Sequence, residues 1–308
     1  MRIDRITLDR PYIPKTPVVA CIGFFDGVHR GHQALIQAVI DQAKELDCAT
    51  ALISFDPDPW VTVKGIPLSR CEHLTTTRQK INLVTEMGIN NVYLLDFTPQ
   101  MAALDPEQFV SRVLGQLNLK GLICGYDFRF ARNGQGDARM LKQLLSCPVH
   151  VVDEIDHGGS KISSSRIVQY VKNGDFYSAY VLLGHPFSMD GKIVQGSHVG
   201  TALGFPTANV EYSEEYVIPR LGVYSAHVRI DGKTYGAMVN VGHNPTLNYQ
   251  EKVSVEVHIF NLQENLYGHH ISVIFEQYIR EEKKFSNPEN LVMQLELDRE
   301  KVRRVLGI

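Results

Sequence analysis

What most constrains this chain is a change of texture near residue 184. Before it, short apolar runs alternate with helical patterns. "VVACIGFF" (18–25) reads as a buried strand and "GHQALIQAVIDQAKEL" (31–46) as an amphipathic helix. "ATALISF", "VYLLDF", "KGLICGYDF" and "PVHVVDEI" read as further strands, separated by the helical "TTTRQKINLVTEMG", "DPEQFVSRVLGQL" and "GDARMLKQLLS". In the second of these, Asp105 is placed to cap and Pro106 to open the first turn. Such alternation demands a parallel sheet with helices on both faces, binding ligands beyond the carboxyl ends of its strands. After "SSSRIVQYVKNGDFYSAYVLLGHPF" the strands follow one another directly. Asp231–Gly232 is a hairpin signal inside "GVYSAHVRIDGKTYGAMVNVG". "KVSVEVHIF" and "HHISVIFEQYIR" alternate like sheet, and "PENLVMQLELDREKVRRVL" closes the chain as a helix. The expectation is an α/β domain over 1–184 and a small antiparallel β-barrel with a terminal helix over 185–308.

The charge balance removes several classes of function. A net charge of −3 over 308 residues gives no basic surface for nucleic acid or anionic membrane. The longest apolar run, Val18 to Phe25, cannot span a bilayer, and "MRIDRITLDRPYIPKTP" lacks the apolar segment of a secretory signal. Five scattered cysteines with no CxxC argue against a disulfide framework or zinc site and for a reducing, cytoplasmic setting. The expected partners are small molecules, for a monomer or weak oligomer.

Chemistry concentrates in "IGFFDGVHRGHQALI" (22–36). A strand, a glycine-bearing turn and a helix start make an anion site, because free backbone N–H groups and the helix dipole both favour phosphate. Gly23 and Gly27 permit close backbone approach, with Phe24 and Asp26 between them. His29 and His32, three apart, can share one side of a helical turn and donate hydrogen bonds to phosphate as charge builds in a transition state. Neither GxxxxGK[ST] nor GxGxxG is present, which argues against P-loop and dinucleotide folds.

The H-x-G-H string resembles the phosphate-binding signature of the nucleotidyltransferase superfamily, a Rossmann-like fold that transfers adenylyl groups from ATP. Its second signature, I-S-S-T-x-x-R, is matched by "ISSSRIV" (162–168), whose Ser163, Ser164 and Ser165 would add hydroxyl donors to the triphosphate. In the second half, "GSHVGTALGFPTANV" (196–210) resembles the G-F-P-T-A-N signature of riboflavin kinases, and "GVYSAHV", "NVGHNPT" and "VEVHIFN" recur there. Together the strings resemble the bacterial bifunctional riboflavin kinase/FAD synthetase family. The resemblance implies ATP, riboflavin and FMN as substrates and Mg²⁺ as the metal. It implies Thr207 and Asn209 as the groups that hold the metal and nucleotide phosphates, and Glu256 as the base toward the riboflavin hydroxyl. It implies Asp127, Phe128 and Phe130, in "GYDFRFARNGQGD", on the flavin side, where the two phenylalanines could equally be core.

The chain departs from that family's pattern at four places. Thr201 and His185 stand where arginines are usual, Asp58 replaces a histidine, and Val168 replaces the arginine that ends the second signature. An arginine restored at 168 is therefore expected to speed adenylyl transfer, unless Arg166, Arg129 or Arg132 already supplies the charge. Two other readings follow from these departures. One is a kinase with a mainly structural first domain, the other a flavin-binding regulator without chemistry.

Overall fold

The computed structural model describes residues 1–10, 12, 14–196, 200, 203–243, 253–262 and 264–308. It divides into two compact units, one of 1–71 and 75–164, the other of 72–74 and 165–308.

The first unit is built on six parallel strands: β1 (Arg2–Ile6), β2 (Val18–Ile22), β3 (Ala49–Asp56), β4 (Asn91–Asp96), β5 (Leu119–Gly125) and β8 (Val149–Val152). Their order is β1-β4-β3-β2-β5-β8. The central strands are apolar on both faces because both are covered. Val18, Ala20 and Ile22 enter one core with Phe109 and Leu114, while Val19 and Cys21 enter the other with Ile36 and Val39. From β2 the chain runs one way through β3 and β4, then returns to place β5 on the opposite flank of β2. That reversal leaves a crevice beyond the carboxyl ends of β2 and β5. Helices α1 (Arg30–Glu45), α2 (Pro59–Lys64), α3 (Thr77–Glu86), α4 (Pro99–Ala102), α5 (Pro106–Arg112) and α6 (Ala138–Leu144) join the strands. Asp105 does cap α5, accepting from the Gln108 N–H at 2.8 Å. After β5, residues 129–130 (β6) and 136–137 (β7) form a separate two-stranded ribbon.

The second unit is a closed six-stranded barrel, antiparallel throughout, ordered β10-β13-β12-β11-β14-β9. Its strands are β9 (Ser188–Val194), β10 (Ala208–Tyr212), β11 (Gly222–Ile230), β12 (Lys233–His243), β13 (Val253–Ile259) and β14 (His270–Arg280). Asp231 and Gly232 both take positive φ, 49° and 78°, as the tight β11–β12 turn requires. The unit also contains α7 (Ser164–Lys172, from its second residue), α8 (Phe176–Leu183) and the terminal α9 (Pro288–Leu306). Phe176 of α8 stacks on Phe187 and Phe275 at 5.7 and 5.1 Å and meets Tyr224 edge-on, so α8 packs with the barrel. The hairpin and terminal helix stand where the sequence places them, whereas α7 and α8 end its first texture and pack with the second unit.

α9 is held to the barrel by apolar contacts and by one buried ion pair. Val302, Val292 and Leu295 pack on Phe205, Met238 and Ile279. Arg280 grips Asp298 through Nε (2.8 Å) and Nη2 (2.6 Å), and Gln294 also donates to that carboxylate, so its oxygens are well satisfied despite burial.

Candidate active sites

Between Ile22 and α1 the chain makes a strained turn. Phe25, Gly27 and Val28 take φ of 58°, 71° and 41°, a left-handed run that L side chains resist. Packing and hydrogen bonds hold it. Phe25 and Val28 are buried. The Asp26 carboxylate accepts from the Thr75 N–H (3.1 Å) and hydroxyl (3.4 Å), and the Gly27 N–H donates to the Thr75 oxygen (3.0 Å). The Ser164 hydroxyl donates to the Asp26 carbonyl at 3.0 Å, so the two motifs that the sequence separates by more than a hundred residues touch.

The turn ends at His29, the N-cap of α1. Its Nδ1 accepts from the His32 backbone N–H at 3.3 Å, which satisfies one of the free donors of the first helical turn. A neutral His29 that accepts at Nδ1 carries its proton on Nε2. The His29 and His32 rings stack at 3.7 Å. Burial, and then the charges of His29, Lys80 and Lys161, hold His32 well below the usual histidine range, so it stands neutral. Its Nδ1 is buried with no hydrogen-bond partner among the described residues.

In front of these rings lies a cavity of about 1180 Å³, walled by the segments that leave β2, β5 and β8. Gly23, Phe24, His29, His32, Ser163 and Ser164 line it, as do Asp127, Phe128 and Phe130. Asp26 and Gly27 are buried and are not in the wall, and Ser165 is exposed outside it. Phe130 is a core residue at 4% exposure, packed on Phe109, while half-buried Phe128 lies parallel to it at 6.0 Å. Asp127 is ion-paired with Lys161, whose ammonium stands 5.0 Å from the Tyr126 ring centre.

The departures from the expected signatures have structural places too. Asp58 is buried and caps α2, accepting from the Trp60 N–H at 2.7 Å. Val168 is on the buried face of α7 with Ile167 and Val171. Arg166 stacks over Tyr170 at 5.9 Å. Arg129 and Arg132 line the cavity. Thr201 lies outside the described residues, as do Ser197–Val199 and Asn244–Thr246 of the quoted strings.

On the barrel, register builds the second constellation. Asn209 of β10 pairs directly with Glu256 of β13, which pairs on its other side with Asn240 of β12. Side chains alternate along a strand, so with Val255 and Val257 buried, Glu256 faces away from that interior. Thr207 stands two residues ahead of Asn209, just before β10 begins. The Asn209 amide lies where a Cβ on Gly196 would be, and the Glu282 carboxylate where a Cβ on Gly242 would be. Burial, and then the charge of Glu282, raise Glu256 above the ordinary carboxylate value.

A family model described as FAD synthetase matches residues 13–166, and one described as riboflavin kinase matches residues 183–306. A bifunctional riboflavin kinase/FMN adenylyltransferase from Listeria monocytogenes is 34% identical over 92% of this chain and 91% of its own length. The chain belongs to the bifunctional riboflavin kinase/FMN adenylyltransferase family. A second bifunctional relative, from Bacillus subtilis, is 32% identical over 93% of this chain and 92% of its own length. The corresponding protein of Escherichia coli K12 is 32% identical over 96% of this chain and 95% of its own. A solved structure named a macrolide-efflux protein, from Streptococcus pneumoniae, matches with a TM-score of 0.90 at 29% identity, covering 98% of this chain and 99% of that one. Among the described residues no helix is long and apolar enough to cross a membrane.

Within this chain, sequence reasoning overlooked several residues that line or brace the candidate sites. Gly31 is the glycine between the two histidines, and a Cβ there would meet the His29 ring at 3.1 Å. Thr75 braces the turn from far along the chain, and Lys80 places its ammonium 4.1 Å from the centre of Phe24. Asn240 and Glu282 join Glu256 only through strand pairing and the course of the chain after β14. The H-x-G-H spacing could have flagged Gly31. The others carry no local signal.

Proposed function

We propose that this one chain makes FMN from riboflavin and ATP, and FAD from FMN and a second ATP with release of pyrophosphate. Residues 1–184 carry the adenylyl transfer and residues 185–308 the phosphorylation. The observation that carries this reading is that two family models, one per activity, match successive parts of a chain whose bifunctional relatives align over more than nine-tenths of its length. It favours two activities over a lone kinase or a regulator without chemistry.

In adenylyl transfer an FMN phosphate oxygen attacks the α-phosphorus of ATP, and the electrons of the breaking P–O bond leave with pyrophosphate. The attacking oxygen is already anionic, so the chain need supply no base. Its work is alignment and the stabilisation of gathering charge. Gly23 and Phe24 form the backbone wall, Nε2–H of His29 and the neutral His32 serve as donors, and Ser163 and Ser164 close the cradle. Asp26 and Gly27 act from behind, by fixing the turn on Thr75. Phe128 gives the flavin a face, supported from beneath by Phe130.

In phosphorylation the 5′-hydroxyl oxygen of riboflavin attacks the γ-phosphorus, its proton passes to Glu256, and ADP leaves. The raised affinity of Glu256 for a proton suits that transfer. Thr207 and Asn209 offer a hydroxyl and an amide oxygen beside the Glu256 carboxylate, a hard-oxygen donor set that fits Mg²⁺. Mg²⁺, when bound, neutralises phosphate charge.

A time course from riboflavin, ATP and Mg²⁺ tests the reading, with FMN and FAD resolved. FMN appears first and FAD follows. FMN accumulating with no FAD, even when FMN is supplied, would leave only the kinase.

A further inference from the structure

We propose that His258 is the positioning residue of the kinase reaction, holding Thr207 in place through a hydrogen bond to the backbone of Pro206. This rests on the proposed role of Thr207 and adds the group that sets its position.

The need arises from proline. The β10–β13 ladder begins with the Ala208–Val257 and Asn209–Glu256 pairs. Two residues before Ala208 the ladder cannot continue in the usual way, because Pro206 has no N–H to give. The segment that carries Thr207 therefore leaves the sheet just where phosphate must be met. A side chain takes over from the ladder there. His258 lies two residues from Glu256, hence on the same face of β13, and its Nδ1 sits 2.8 Å from the Pro206 carbonyl oxygen. A carbonyl only accepts, so Nδ1 carries the proton and donates. Burial, with Arg299 and Arg303 adding to it against the pull of the Pro206 bond, lowers the affinity of His258 for a second proton. The working form is the neutral Nδ1–H tautomer.

The ring is itself packed against two others. Phe205 lies 5.4 Å from it and Phe260 5.6 Å. Arg299 covers Phe205 at 5.2 Å and Arg303 covers Phe260 at 5.3 Å, both from α9. The series Arg299, Phe205, His258, Phe260, Arg303 sets three rings between two cations and restrains the imidazole plane. It thereby restrains the direction of the Nδ1–H bond. The same strand thus sets the proposed base, Glu256, and the proposed phosphate ligand, Thr207, at one spacing.

The test compares His258→Leu, His258→Gln and His258→Asn in the full chain. Asparagine puts an amide N–H where Nδ1 stands; glutamine puts one where Nε2 stands; leucine has no donor. Kinase kcat and the KM for ATP at fixed Mg²⁺ are measured, with FAD formation from added FMN as an internal control and thermal melting as the check on folding. Displacement of a positioned group by about 1 Å costs up to roughly a hundredfold in rate. Leucine and glutamine should therefore lower kinase kcat/KM by about 10–100-fold, and asparagine should restore most of it. Equal activity in all three folded variants overturns the proposal, and so does asparagine failing as badly as leucine. If leucine does not fold, the contrast of asparagine with glutamine decides in the same way. Thr207→Ala is measured alongside. If it leaves the kinase intact, the underlying role of Thr207 is wrong, whatever His258 does.

Discussion

Glu256 faces opposed demands of chemistry and stability. Its burial beside Glu282 means that the folded chain keeps this proton at a pH where the unfolded chain has released it. Stability therefore falls as pH rises from the ordinary carboxylate value through the raised one, and the deficit persists at neutral pH. Glu256→Gln removes that deficit along with the base. The variant should lose about 10²–10⁴ in riboflavin phosphorylation, keep FAD formation from added FMN, and melt at a higher temperature than the parent. Near-normal kinase turnover would remove Glu256 from the base role. A base must be ionised to work, so the acid limb of the kinase pH–rate profile should lie above the ordinary carboxylate range. Glu282→Gln takes away the like charge and should move that limb to lower pH. A limb that stays put would show that burial alone sets the affinity. Of these two residues only Glu256 was legible in the sequence, through its "EVHI" setting. Glu282 reaches it by a path that only the folded chain reveals.

Elements differ in how openly the sequence declares them. β2, β3 and β5 are buried on both faces and so read as plain apolar runs. β1 escapes notice because it is an edge strand. Its "RIDRI" is mostly solvent-exposed, and it is a strand because β4 offers it a parallel partner. The grouping of α7 and α8 with the second unit was equally illegible; for α8, the stacking of Phe176 on Phe187 and Phe275 accounts for it. At the start of α1 local and tertiary preferences conflict, which gives a test. Alanine is the better helix former by up to about 1 kcal/mol, so Gly31→Ala should leave melting unchanged or raise it slightly. Yet its Cβ would press on the His29 ring at 3.1–3.2 Å, tighter than side chains normally tolerate. FAD formation should fall about tenfold while riboflavin phosphorylation holds. Unchanged FAD formation would mean that the ring has room to yield. Val168 is the other case. The signature led us to expect that an arginine there speeds adenylyl transfer, but Val168 is 8% exposed on the buried face of α7. A guanidinium forced into that position loses water without a partner, so Val168→Arg should destabilise by roughly 1–3 kcal/mol and bring no gain in FAD formation. A faster, equally stable variant would restore the original expectation.

For the molecule as a whole, each proposed site draws its residues from one compact unit. The histidines, Ser163, Ser164 and the cavity wall belong to the first; Thr207, Asn209, Glu256 and His258 belong to the second. This separation was legible early, because the change in strand texture and the two sets of motifs fall in the same halves of the chain. It makes a demand on the route of FMN. If neither site borrows from the other, FMN made at the barrel can leave and be used by any chain with an intact first unit. His32→Ala should lose about 10²–10³ in adenylyl transfer and phosphorylate riboflavin normally. Glu256→Gln should do the reverse. Each alone, given riboflavin, ATP and Mg²⁺, should make almost no FAD. Mixed in equal amounts they should make it, after a lag that shortens as total protein rises, because free FMN must first build up between one chain and the next. A mixture that forms FMN but never FAD, while the Glu256→Gln chain still converts added FMN, would show that the product of the kinase is passed on only within a single chain.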